Sequence, residues 1–228
     1  MERGLYIAAT GMMAEMVRQD QIANDLANAS TPGYKADRSS QSSFGDLLLS
    51  NTVSGQTIGP LGMGAQIDRI VTDVNAGPVR ETGEPLDFAI EGDGWFGIQT
   101  QQGVRYTRNG QFALSPQGTL IDSMGNQVVG RGGGPIRANG DGTVDSGQLG
   151  VFNLTNIAKV GDSYVTGNAA GQSQATVRSG ALEEANVEAS RSMVDMIASF
   201  RAFEAGQRVI RTIDDSLQKA ANNVGAMR

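Results

Sequence analysis

The sequence predicts an α+β fold: long N- and C-terminal helices forming a coiled-coil-like terminal domain, with a small antiparallel β domain inserted between them. Three observations predict it. Apolar residues recur at helical spacing at both ends of the chain. The middle consists of short apolar segments of strand length, separated by turns rich in Gly, Asn and Asp. The composition, with 31 Gly, 39% hydrophobic and only 5% aromatic residues, suits thin β structure and Ala- and Met-containing helices better than a large aromatic core.

The first helix covers the N-terminal ~28 residues, with Leu5, Ala9, Met12, Met16, Ala23 and Leu26 on one face at steps of three, four and seven. Ser30-Thr31-Pro32-Gly33 ends it, because proline disfavours helical geometry in the residue before it and glycine tolerates positive φ. From 37 to 64 the chain is polar and rich in Ser and Gly, with one apolar patch at Phe44 and Leu47–Leu49; it reads as an extended connector.

Strand-like segments follow. Asp87–Ile90 and Trp95–Ile98 flank the turn-forming Glu91-Gly92-Asp93-Gly94. Val104–Thr107 leads into Arg108-Asn109-Gly110, and Asn-Gly is the strongest short hairpin signal. Further strands are expected at 118–122, 127–130, 150–159 and 163–166, which together suggest a small antiparallel β domain. The last ~45 residues read as a second helix, ~60 Å long at 1.5 Å per residue. Met196, Phe203, Ile210, Leu217 and Val224 recur at every seventh position, flanked by Met193, Phe200, Ile213 and Ala220. A stripe of that length exceeds what a small domain covers, so an assembly is expected to bury it. The alternative is that the two helices satisfy each other inside one monomer.

The chain has no Cys and no His. That excludes disulfides, thiol nucleophiles, the usual zinc sites and imidazole bases. The net charge of −6 comes with no run of Lys or Arg, so nucleic-acid binding has no electrostatic footprint. No apolar run approaches the ~20 residues that span a bilayer, so no membrane insertion is expected. Residues 1–10 show no secretory signal pattern.

Three segments invite a chemical reading. Asn139–Asp145 resembles a calcium loop, but an EF-hand register would put Arg137 at its first position and Gln148 at its twelfth, so a turn is expected. Gly130–Pro135 lacks the Lys-Ser/Thr pair and the helix that a phosphate-binding loop requires. Asp87, Glu91 and Asp93 offer carboxylates for glycan hydrolysis, against the plainer reading of acidic turn residues. No catalytic residue, cofactor or metal is expected.

The blocks Ile22–Lys35, Leu86–Phe96 with Tyr106–Phe112, and Gly180–Val187 with Met193–Ile197 and Arg201–Ala205 together resemble the flagellar basal-body rod and hook protein family. Asn24, Leu26, Asn28, Gly33 and Tyr34 match its N-terminal signature. The resemblance implies a structural subunit, not an enzyme, which polymerises head-to-tail into a helical tube transmitting torque from motor to hook. It implies copies of itself, neighbouring rod and hook proteins and the flagellar type III export apparatus as partners. It also implies a location in the basal body, in a periplasmic or wall-spanning rod reached without a cleaved signal peptide. Residues 1–33 and 182–228 would form the terminal polymerisation domain, 34–66 the connector and 67–181 the β-rich outer domain. The assembly interface would include Leu5, Met12, Met16, Leu26, Met193, Met196, Phe200, Phe203, Ile210 and Leu217. Asp93-Gly94-Trp95, Ala29–Gly33 and Gly132–Ile136 resemble the proximal rod type, whereas Ala8–Met12 resembles the distal type; the proximal type is favoured.

Overall fold

A computed structural model describes residues 2–225 apart from 46, 51–56 and 162. The elements run α1 (Glu2–Ala27), β1 (Asp37–Ser43), β2 (Leu47–Ser50), β3 (Thr57–Leu61), β4 (Ala65–Thr72), β5 (Val79–Glu81), β6 (Phe88–Glu91), β7 (Trp95–Thr100), β8 (Gly103–Thr107), β9 (Ala113–Leu114), β10 (Leu120–Ile121), β11 (Gln127–Val129), β12 (Val151–Val160), β13 (Tyr164–Gln172), β14 (Thr176–Ser179), β15 (Ala181–Glu183) and α2 (Ala189–Gly225). The chain is thus α+β, with a helix at each end and a β-rich middle. It divides into two compact units: residues 1–26, 37–71 and 189–228, and residues 27–36 and 72–188.

The first unit holds both helices and four strands, paired β1 with β4 and β2 with β3. The stretch read as an extended connector is therefore hydrogen-bonded ribbon. Its polar Ser-rich strands can stand in pairs because backbone bonds, not side-chain burial, hold them. The side chains of Leu47–Leu49 lie outside the described residues.

The second unit is built on a seven-stranded antiparallel sheet in the order β12-β13-β8-β7-β11-β10-β9, with a further pairing of β12 to β7. That pairing, at Val151–Phe96 and Phe152–Trp95, closes β7, β8, β13 and β12 into a ring. Alternation along β7 serves two clusters, as the two-residue period of a strand requires. Phe96 and Ile98 join Phe88, Phe112, Leu120 and Leu149 in the main core, and Trp95 joins Tyr106 and Val165 in a smaller one. The Phe96 and Phe112 rings meet edge to face, 5.3 Å between centroids, the arrangement their quadrupoles favour.

Asn109-Gly110 does not make the expected hairpin. The turn between β7 and β8 is Gln101-Gln102, across from which Thr100 pairs with Gly103. Asn109 instead accepts the Gln111 N–H at 2.9 Å, and the Gly110 carbonyl accepts the Phe88 N–H at 3.0 Å. Gly110 is needed there for space: a Cβ would lie 1.6 Å from the Phe88 carbonyl oxygen. The glycine serves a close backbone approach rather than a primed turn.

Candidate assembly interface

The helical unit places α1 and α2 antiparallel. Ile213 Cδ1 lies 3.4 Å from where a Gly4 Cβ would stand, and Met12 Cγ only 2.6 Å from where a Gly206 Cβ would stand. Ser199 donates to the Glu15 carboxylate at 2.5 Å and to the Glu15 carbonyl at 3.3 Å. Among the covered positions of α2, Ser192, Met196, Ser199, Phe203, Gly206, Ile210 and Ile213 alternate four and three residues as a helix–helix seam does, with Ala189, Asp195 and Glu204 half-buried as well. Met196, Phe203 and Ile210 of that seam belong to the predicted heptad. The rest is Ser192, Ser199, Gly206 and Ile213, of which Ser199 and Gly206 give way so that the helices approach closely.

Of the expected interface residues, Met12, Leu26, Met196, Phe203 and Ile210 are half-buried. Leu5, Met16, Met193, Phe200 and Leu217 are exposed. The side chain of Val224 lies outside the described residues. Phe200 is 53% and Met193 53% exposed, with Val194 and Ile197 beside them. These residues form a second apolar face of α2, outside its close contact with α1. On α1, Tyr6, Met13 and Val17 face a groove of about 410 Å³ completed by Phe44, Ala65 and Ile67 of the strand ribbon.

The N-terminal signature divides between the units. Asn24 is exposed and Leu26 half-buried on α1. Beyond α1, Asn28 accepts the Thr31 N–H through its carbonyl at 3.0 Å and the Thr31 hydroxyl through its side chain at 3.2 Å. Gly33 turns at φ +68°, and a Cβ there would lie 2.3 Å from the Arg108 carbonyl carbon. Tyr34 is fully buried, with the Lys159 ammonium 3.9 Å from its ring centroid.

Lys35, next in the chain, meets a cluster that the sequence does not announce. Glu183 accepts Lys35 Nζ at 2.5 Å on one carboxylate oxygen and Arg108 Nη1 at 2.9 Å on the other. All three are buried. The Gly77 N–H also donates to Glu183 at 2.9 Å, and Lys35 donates to the Asn75 carbonyl at 2.6 Å. Arg108 reaches the Gly92 carbonyl at 2.9 Å and lies 5.5 Å from the Trp95 ring centroid. Burial lowers the Lys35 ammonium below its ordinary 10.5, although Glu183 pulls it up and Arg108 pushes it down. The cluster fastens the signature turn, β15 and the end of β8 to one another. Nothing local in the sequence signals it, since its members stand more than seventy residues apart.

The segments weighed for chemistry take structural positions. Asp87 is buried, while Glu91 lies 3.6 Å from Arg178 and Asp93 is exposed. The Asn139–Thr143 turn closes with a 2.8 Å backbone bond, and Asp145 caps the short 3-10 helix Ser146–Gln148 by accepting the Gly147 N–H at 3.0 Å. The Gly133 N–H donates back to the Gly130 carbonyl at 2.9 Å, a turn rather than an anion cradle.

Comparison with known proteins matches three family models in order along the chain. They are the flagella basal body rod protein over 5–35, the flagellar hook protein FlgE/F/G D1 domain over 89–158, and the flagellar basal body rod FlgEFG protein C-terminal over 178–223. The chain is 31% identical to the flagellar basal-body rod protein FlgG of Bacillus subtilis, covering 97% of this chain and 99% of that protein. It is 31% identical to FlgF of Mesorhizobium japonicum, covering 99% of both. With FlgF of Escherichia coli it shares 30%, over 96% of this chain and 97% of the relative.

Proposed function

The chain belongs to the flagellar basal-body rod protein family, and from that premise we propose that it is a structural rod subunit that polymerises head-to-tail through its helical unit. It carries out no reaction and takes no cofactor. Its partners are further copies of itself, neighbouring rod and hook proteins, and the flagellar type III apparatus that exports it without a cleaved signal peptide. The rod it joins crosses the periplasm or the cell wall and carries torque from motor to hook.

The observation that supports this most is the second apolar face of α2. Met193, Val194, Ile197 and Phe200 are each more than half exposed, on a helix that already has α1 as a partner. Full burial of such a side chain is worth roughly 1.5–3 kcal/mol, and each of these has about half of that still to gain, so several per subunit favour association. A head-to-tail contact whose rotation does not close a ring generates a helical filament. Assignment to the proximal segment rests on Asp93-Gly94-Trp95, Ala29–Gly33 and Gly132–Ile136. Relatives of both rod types match the chain at similar identity.

Removal of Ala189–Arg228 tests the reading. The β-rich unit ends at Glu188, so it is expected to melt as in the intact chain. The truncated protein is expected to be missing from isolated basal bodies. A truncated chain that still enters the rod would defeat the proposal.

A further inference from the structure

The helical unit differs at its two ends. With Gly4 beside Ile213 and Glu15 bonded to Ser199, α2 beyond Ile213 runs past the start of α1 at Glu2. The segment 214–225 is about 18 Å long at 1.5 Å per residue, and its last ten residues, about 15 Å, clear the start of α1. It continues the seam with Leu217, 40% exposed, and Ala220, and it carries Asp214, Asp215 and Lys219.

At the opposite end of the helix pair lies an open groove of about 660 Å³. Its apolar lining is Ala23, Met196, Ile197 and Phe200, and Asp20, Arg201 and Glu204 stand on its rim. Gln19, which also lines it, keeps its amide nitrogen buried without an acceptor.

We propose that the overhang of one copy docks in this groove of the next copy, with Lys219 toward Asp20 and Glu204 and the Asp214–Asp215 pair toward Arg201. The inference rests on the reading of the chain as a polymerising subunit, and it names which segment meets which surface. Three features select a second copy as occupant. Donor and acceptor sit at opposite ends of one unit, a head-to-tail arrangement that repeats from copy to copy. The groove extends from Met196 to Glu204, about 12 Å along α2, so the overhang is long enough to fill it. Rim and overhang each carry two acids and one base, so the base of each can meet the acids of the other. An intramolecular version is out of reach, because Asp20 lies about 27 Å along α1 from the end that α2 overruns.

Lys219 makes the test possible without any substitution, since the only other lysines are Lys35, which is buried, and Lys159. Basal bodies isolated from cells expressing the chain are treated with a zero-length carbodiimide and digested for mass spectrometry. Links from Lys219 to Asp20 or Glu204 are expected. In a second arm, Lys219→Glu lowers incorporation several-fold, and adding Asp20→Lys and Glu204→Lys restores it. Rods that contain the chain but yield no such link, or a charge reversal without rescue, would overturn the docking assignment and leave the rod-subunit reading standing. Basal bodies without the chain would end both.

Discussion

Glu183 holds two cations in a place that water does not reach, so its charge and both its oxygens are committed. Replacing one member of such a cluster leaves the others buried and uncompensated, which costs about 3–5 kcal/mol. Glu183→Gln is therefore expected to lower the stability of the β-rich unit by that order, read as a shift in the urea midpoint with an unchanged slope. Tyr164 offers a separate measurement. Burial, and then its hydrogen bond to Asp122, push the phenol up from 10.0 to about 12. A raised acid pKa means that the folded state keeps a proton the unfolded state has lost. The contribution is thus full below pH 10 and is lost as pH rises through the folded value near 12. Stability should fall more steeply across that window in the wild type than in Tyr164→Phe. Tyrosinate absorbance should show Tyr164 titrating near pH 12, above the ordinary tyrosine value.

Among the elements, the contact between α1 and α2 depends on what Gly206 lacks. Alanine would gain about 1 kcal/mol of helix propensity there but would press on Met12, whose Cγ stands 2.6 Å from the new Cβ. Valine adds two methyl groups to that overlap, and overpacking of this kind costs about 1–3 kcal/mol. Gly206→Val is expected to reduce helicity measured by circular dichroism and incorporation into basal bodies, while melting of the β-rich unit is unchanged. The seam was half legible in the sequence. Met196, Phe203 and Ile210 mark it because they are large and apolar. Ser199 and Gly206 also recur at seven residues, yet a hydrophobicity pattern passes over them, since their function is to be small. Met193 and Phe200 pull the pattern the other way: they are apolar, and they stay exposed outside the close contact.

Across the whole molecule, the α+β class, the helix at each end, the strands β6, β7, β8 and β10 to β13 of the β-rich middle and, through the signature blocks, the family are legible in the sequence, whereas the short β5, β9, β14 and β15 are not. The legible features are written in local periodicity and in short contiguous stretches, which is the information a linear reading retains. Tertiary structure alone decided three others. It turned the polar stretch after the first helix into paired strands, because backbone hydrogen bonds form without regard to side-chain polarity. It put Asn109-Gly110 into a close approach to Phe88 instead of a hairpin, because strand partners are chosen by the sheet and not by the turn. It brought Lys35, Arg108 and Glu183 into one buried cluster, so that the signature turn folds with the β-rich unit. Charges so distant along the chain carry no mutual signal until burial removes the water between them and makes their pairing obligatory.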